Sequence, residues 1–507
     1  MSSFVLLNPA DDVATLVRPA KAGDALVEGG AALAADVAPG HKIAAKAIAA
    51  ADPIRKFGQI IGYAVSDIAP GEHVHVHNCT VGEHDQDYQI GVDLAAAQAA
   101  IPPSSERTFE GFRRSNGQIG TRNFIALCST VNCSATVVRQ AAHELTVSGV
   151  LDAYPNVDGV CVFAHGTGCG MASSGDGAAN LERVLWGHAT HPNVGATIFV
   201  GLGCEVMQVE VMKTLYGAQT ADRFHGLTIQ ESGGTRATID RLKAMIAELL
   251  PEVNAVTRTS CPASALSVAL QCGGSDGYSG ITANPALGVA TDKLVGLGGT
   301  AILAETPEIY GAEQLLLRRA ASPEVADKLI ARIKWWEGYT ALHGASMDNN
   351  PSPGNKVGGL TTILEKSLGA ASKGGSTPLA DVLGYAEPVG TKGFVFMDSP
   401  GYDPVSVTGQ IASGAQIVVF TTGRGSAFGS KPAPTIKLAT NDMLYHAMPD
   451  DMDLNCGDVL SAGVSLDAKG DEILDEILAV ASGKPSRSEA LGLGDSEFVP
   501  WQVGAVM

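Results

Sequence analysis

A thiol, several hydroxyls and a carboxylate crowd into one short stretch, Cys272-Gly273-Gly274-Ser275-Asp276-Gly277-Tyr278-Ser279-Gly280. An apolar run ending at Leu270 precedes it, and a helical pattern begins near Pro285. Strand, polar glycine-rich turn, helix is how an open α/β sheet places a ligand site at the carboxyl ends of its strands. The glycines let the backbone approach a ligand closely. A loop built only for tight packing needs the same glycines, but it has no use for a thiol beside a carboxylate.

The pattern recurs along the chain. Apolar runs end in Ser129–Ser134, in His165-Gly166-Thr167-Gly168-Cys169 and in Gly203-Cys204-Glu205. Later runs end in Glu305-Thr306-Pro307-Glu308 and in Thr421-Thr422-Gly423-Arg424-Gly425, and a polar loop holds Asn355 and Lys356. A metal held by carboxylate, thiolate or imidazole would give these loops a local positive charge. Lys356 and Arg424 are suited to clamp a carboxylate, the Arg bidentately. His165 is suited to move a proton. Near the start, His73, His75 and His77 alternate along a strand expected over Glu72–His77, which puts three imidazoles on one face for a metal or a base. Each residue has a plain structural alternative, a packed histidine or a solvated lysine. Their joint occurrence at strand ends carries the functional reading.

Several chemistries find no support. There is no Gly-x4-Gly-Lys-Ser/Thr loop and no Gly-x-Gly-x-x-Gly between a strand and a helix, so no nucleotide cofactor is expected. No Cys-x-x-Cys occurs, which weakens zinc, although single cysteines brought together in space remain an alternative route to one iron–sulfur cluster. A net charge of −19 argues against nucleic-acid binding and requires a local cationic or metal site for any acidic substrate. Nine scattered cysteines suit a reducing cytoplasm better than a disulfide framework. Neither a signal peptide nor a membrane-spanning run is expected.

The elements that must position these loops fall into three units. Short strands are expected over Phe4–Asn8, Val13–Val17, Ala25–Val27, Gly58–Ala64 and Glu72–His77, a small β domain spanning 1–92. Residues 93–107, rich in Ala, Pro and Ser, read as a linker. Strands alternating with helices imply a parallel sheet in 108–255, with a helix Thr235–Leu250 and a connection through Pro251–Ser260. A second strand–helix alternation fills 256–507.

At these residues the sequence resembles the altronate and galactarate dehydratase family. The matching stretches are Gly111-Phe-Arg-Arg114 with Gly120-Thr-Arg-Asn123, His165–Cys169, Gly201–Glu205, Cys272–Asp276, Thr282–Pro285, Asn350–Lys356 and Thr421–Gly425. They run in family order over nearly the whole chain. The resemblance implies an α/β protein with an N-terminal β-clip domain of the SAF type, a middle α/β domain and a Rossmann-like, mainly parallel C-terminal domain with a metal site. It implies a homodimer or higher homo-oligomer, without membrane or nucleic-acid partners, that removes water from a sugar acid to give a 2-keto-3-deoxy acid. The implied cofactor is a divalent metal, Fe(II) first, with Mn(II) or Mg(II) as alternatives. Residue chemistry and resemblance together nominate Cys272, Asp276, Glu305, His75 and His77 for the metal, and His165 and Lys356 for proton transfer. They nominate Arg424, Lys356, Ser275, Asn355, Cys204 and Glu205 for the substrate. D-altronate is the first substrate expected; galactarate, or sulfite elimination from sulfolactate on the same scaffold, is the alternative.

Overall fold

The computed structural model of the 507-residue chain describes residues 3–82, 87–103, 106–216 and 224–506. It is a mixed α/β structure. The first part holds seven short strands: β1 (Phe4–Val5), β2 (Val13–Leu16), β3 (Lys42–Ala44), β4 (Pro53–Lys56), β5 (Gln59–Ala64), β6 (His73–Val74) and β7 (Cys79–Thr80). They pair antiparallel in two sheets, ordered β1-β2-β3-β6 and β4-β5-β7. Two expectations change here. Ala25–Val27 is not a strand, and the strand expected over Glu72–His77 stops at Val74. The reason is Asn78, whose side chain accepts from the His75 N–H and donates to the His73 carbonyl. Such a side chain competes with the sheet for backbone partners and turns the chain.

The stretch expected as an irregular linker contains a helix, α1 (Leu94–Ala99), and Arg318 grips Asp93 just before it. Residues 104 and 105 of that linker lie outside the described residues. Strands β8 (Thr108–Arg113) and β9 (Ile119–Gly120) follow as an antiparallel pair. Four strands then form an all-parallel sheet: β10 (Phe124–Ser129), β11 (Gly159–Phe163), β12 (Val194–Gly201) and β13 (Phe224–Thr228), in the order β11-β10-β12-β13. Helix α2 (Asn132–Val147) packs on one face of it and α3 (Asp176–Ala189) contributes to the other. After α4 (Val209–Tyr216), helix α5 (Thr235–Ala255) runs through Pro251, past the end expected for it. The chain then forms β14 (Arg258–Pro262), which pairs with β8 and closes a three-stranded sheet.

The largest sheet has seven parallel strands: β15 (Ser267–Cys272), β16 (Thr300–Leu303), β17 (Leu379–Leu383), β18 (Gly393–Met397), β19 (Ile417–Thr422), β20 (Thr435–Ala439) and β21 (Leu454–Asn455). Their order is β17-β18-β16-β15-β19-β20-β21. The central strands are buried along their length, as expected of a parallel sheet covered on both faces. Strand order reverses between β15 and β19, which opens a crevice where β15 ends, at Cys272.

The N-terminal sheets are seated on the loops of that edge. Lys42 and Lys56 donate to opposite oxygens of Glu365, and all three groups are fully buried. The Tyr278 hydroxyl donates to the Leu16 carbonyl. Gly277 lies so close that a Cβ there would stand 1.9 Å from the Gly40 carbonyl oxygen. Backbone cannot yield as a side chain can, so Gly277→Ala is expected to unseat the N-terminal sheets. Overpacking of this kind costs about 1–3 kcal/mol, to be read as a lower melting temperature and faster proteolysis between the first and second parts.

Candidate active site

Two groups of donor atoms stand out. Among the described residues, three potential ligand atoms lie within 4.8 Å of one another at Cys272, Glu305 and Glu308, and again at His41, His73 and His75.

The first group sits at the carboxyl ends of β15 and β16. Cys272 is the last residue of β15, and Glu308 lies on the short 3-10 turn Thr306–Glu308. Between them Glu305 takes left-handed backbone, φ 72°. That conformation costs a non-glycine residue about 1–3 kcal/mol and clusters at functional sites. The Cys272 Sγ–H points to Glu308 Oε2 at 3.5 Å. Two lysines of α10 (Ile363–Ser372 and its cap Lys373) enter the group, with Lys366 Nζ 2.7 Å from Glu308 Oε1 and Lys373 Nζ 2.8 Å from Cys272 Sγ. Burial and the Glu308 charge push the Glu305 carboxyl well above its ordinary range. Burial opposes ionisation of Glu308 too, but Lys366 outweighs it and holds Glu308 below the usual value. Burial pushes the Cys272 thiol up to about 12 against the pull of Lys373. A thiol so raised is only about one part in ten thousand thiolate at pH 8. Iodoacetamide labelling of the native protein at pH 8 should therefore leave Cys272 unmodified, checked by peptide mass spectrometry.

The second group belongs to the N-terminal sheets. Pairing of β3 with β6 sets Lys42 opposite Val74 and Ile43 opposite His73, which carries His41 to the His75 end of β6. His41 Nδ1 lies 3.1 Å from His73 Nε2, and the His41 and His75 rings are 4.9 Å apart. His41 Nε2 lies 3.1 Å from the Val357 carbonyl at the end of α9 (Pro353–Val357). A carbonyl only accepts, so Nε2 carries the proton and Nδ1 keeps its lone pair. A second ring nitrogen anchored to a backbone carbonyl is the usual support of a metal-ligating histidine. His75 Nδ1 is buried without a partner. Burial, then the neighbouring positive groups, push His73 down to about 3 and His75 to about 4. Burial lowers His41 as well, so the three rings are mainly neutral at pH 7, the form that binds a metal.

The donor chemistry separates the two groups. Around Cys272, two ammonium groups already neutralise the acids, which leaves little for a cation to add. Each group holds one unpartnered buried atom, Glu305 Oε1 and His75 Nδ1; what fits the imidazole group to a divalent ion is the supported lone pair of His41 among neutral rings.

The other nominated residues are placed as follows. Asp276 is outside both groups, and its carboxylate accepts from the backbone of Tyr278 and Ser279 and from the side chains of Ser279, Thr440 and Asn441. It organises the turn. Asn355 completes the capping box of α9 with Ser352 and donates to the Ser275 carbonyl, which ties that turn to Lys356. His77 is exposed in the turn after β6, its ring 5.6 Å from His73. Arg424 is exposed, with its backbone N–H on the Gly274 carbonyl. His165, Cys204 and Glu205 sit on the parallel sheet of the middle part. His165 lines a cavity of about 290 Å³ with Asn132, Arg139 and Phe498, and none of that cavity's lining comes from either donor group. The Glu205 carboxylate is engaged by Thr130 and the Gly203 N–H.

Sequence reasoning named His73 but did not nominate it as a ligand, and it missed His41, Glu308, Lys366 and Lys373. Glu308 carried a signal, a second carboxylate three residues after Glu305. Lys366 and Lys373 are two helical turns apart, a spacing that puts both on one face. His41 had none beyond its place after a Pro39-Gly40 turn.

Comparison with known proteins covers the whole architecture. Residues 2–82 match the altronate/galactarate dehydratase SAF domain, and 111–254 match the second domain of D-galactarate dehydratase/altronate hydrolase. Residues 263–506 match the C-terminal domain of D-galactarate/altronate dehydratase. An altronate dehydratase of Bacillus subtilis (strain 168) is 38% identical over 494 residues, 96% of each chain. An altronate dehydratase of Escherichia coli (strain K12) is 36% identical over 460 residues, 90% of each chain. A galactarate dehydratase (L-threo-forming) of the same strain is 34% identical over 489 residues, 95% of this chain and 93% of the other.

Proposed function

The chain belongs to the D-galactarate/altronate dehydratase family, and from that premise we propose that it removes water from a sugar acid, D-altronate first, using a divalent metal held by His41, His73 and His75. On this reading the SAF domain is a β-clip, the seven-stranded domain is Rossmann-like, and the site lies where the two meet.

The observation that carries the reading is a continuous rim of hydrogen bonds. Arg424 is bonded to Gly274, Gly277 to Gly358, and His41 to Val357. Arg424, Lys356 and the three histidines thereby belong to one run of hydrogen-bonded segments between the N-terminal sheets and the C-terminal loops. Imidazole donors suit iron and zinc better than magnesium, and Fe(II) is the ion proposed. Bound there, it supplies Lewis-acid stabilisation for the negative charge that builds up as the C2 proton leaves.

The chain's own groups do the rest. Arg424 binds the substrate carboxylate, and as a planar fork it fixes the orientation of C1 and C2. Lys356, half-buried on the same rim, takes the C2 proton or returns one to the departing 3-hydroxyl. Loss of that hydroxyl leaves an enol, which tautomerises to the 2-keto-3-deoxy acid. His165 lies in a different cavity and is given no part in this proton transfer.

The test is 2-keto-3-deoxy acid formation from D-altronate and from galactarate by protein loaded anaerobically with Fe(II). Product from altronate supports the reading, and a strong preference for galactarate corrects the substrate. Metal-loaded protein that turns over neither acid would refute it. Lys356→Met should lower kcat by about 10²- to 10⁴-fold, the range for loss of a general acid or base, while metal content stays unchanged.

A further inference from the structure

Six of the nine cysteines are buried, and the three exposed ones, Cys133, Cys169 and Cys204, follow three neighbouring strands of one sheet. Cys133 comes after β10, Cys169 after β11 and Cys204 after β12, all at the carboxyl edge. Exposed cysteines without a shared role have no reason to gather in this way.

The three loops are fastened to one another beside each thiol. The Asn132 N–H donates to the Thr167 carbonyl at 2.8 Å, and the Val206 N–H to the Gly168 carbonyl at 3.0 Å. The Thr130 hydroxyl donates to Glu205 Oε1 at 2.7 Å. Gly168 takes φ +104°, and a Cβ there would stand 2.5 Å from the Thr130 carbonyl oxygen. The loop carrying Cys169 must therefore lie directly on the loop carrying Cys133. Cys133 is also the second residue of the 16-residue helix α2, in the turn whose N–H groups have no partner within the helix. A buried polar atom without a partner lies in one of the same loops: His165 is 5% exposed and its Nε2 has no partner. It lines the cavity of about 290 Å³ with Asn132, the neighbour of Cys133, although none of the three thiols lines that cavity.

We propose that Cys133, Cys169 and Cys204 hold a [4Fe–4S] cluster with one iron left free of protein sulfur. Spacing decides against a single ion. Zinc–sulfur bonds of about 2.3 Å require the sulfurs of one tetrahedral site to lie about 3.8 Å apart. Among the described residues, these three sulfurs are not one of the groups whose ligand atoms all lie within 4.8 Å of one another. A cluster bonds each cysteine to a different iron and so takes wider-set thiolates. Assembly consumes two ferric ions, two ferrous ions and four sulfides, and releases the three thiol protons. The core is then 2+ and its thiolates 3−. This centre is separate from the imidazole group, and it stands or falls without it.

The experiment is anaerobic reconstitution of the full chain with ferrous and ferric iron and sulfide. About four irons and four acid-labile sulfides per chain are expected, with a broad visible charge-transfer band. The triple variant Cys133→Ser/Cys169→Ser/Cys204→Ser should hold no sulfide, whereas Cys272→Ser should hold as much as the wild type. Should the triple variant misfold, thiol labelling decides. Iodoacetamide should modify all three cysteines in the cluster-free protein and none in the reconstituted protein. Failure of the wild type to take up sulfide, retention of sulfide by the folded triple variant, or equal labelling in both states would overturn the proposal.

Discussion

His73→Ala is expected to lower sugar-acid dehydration by at least about 100-fold. Loss of groups that merely support a metal ligand already costs 10–100-fold. His73 stands between the other two rings, 3.1 Å from His41 Nδ1 and with its ring centroid 5.4 Å from that of His75. Removing it leaves two ligands where a stable site needs three or more. Bound iron, counted after desalting, should fall with activity, and the melting temperature of the metal-free protein should barely move because the ring is half-buried. Cys272→Ala is the matching control. It lies in the other donor group and should leave the iron count as it was. If His73→Ala keeps its iron and Cys272→Ala loses it, the metal belongs at the ends of β15 and β16.

Glu365→Gln is expected to destabilise the protein by about 3–5 kcal/mol, the cost of breaking a buried ion pair from one side. Glu365 accepts from Lys42 at 2.8 Å and from Lys56 at 2.9 Å, and it also takes the Thr361 N–H and hydroxyl. The glutamine leaves two ammonium groups buried without an anion. Burial works against the Glu365 carboxylate, but the two lysines outweigh it and hold its pKa below the ordinary 4.5. A depressed carboxyl stabilises the folded state fully above its unfolded value and loses that contribution as pH falls through the folded one. The gap between wild type and variant, measured by denaturant unfolding, should therefore be widest near neutral pH and shrink in acid. Activity should drop as well, because the same contact holds Lys42, and with it His41, against the C-terminal loops.

Much of this site could be read from the amino acids, and the residues show where that reading stopped. The central strands of the large sheet are continuous apolar runs such as Val268–Leu270 and Val418–Phe420, so their ends were legible, with Cys272 closing β15 and Arg424 just after β19. Parallel sheets put ligand loops at those ends, and the sequence supplied loops of the right chemistry. His41 was not legible. It meets His73 across 32 residues through the β3–β6 register, and those strands are three and two residues long, too short for any periodic signal. Asp276 was misleading for another reason. A carboxylate in a glycine-rich turn has the type expected of a metal ligand, yet five hydrogen-bond donors from its own turn and from Thr440 and Asn441 already occupy it. Only three-dimensional neighbours separate a ligand from an organiser of the loop.

The central claim is that a sugar-acid dehydratase of this family carries its metal on the imidazoles of its SAF domain. Anomalous diffraction at the iron edge, from crystals of the full chain grown anaerobically with Fe(II) alone and without sulfide, tests this most directly. The expected result is a single-ion peak within bonding distance of His41, His73 and His75. An ordered iron peak at Cys272, Glu305 and Glu308, with none at the imidazoles, would contradict it.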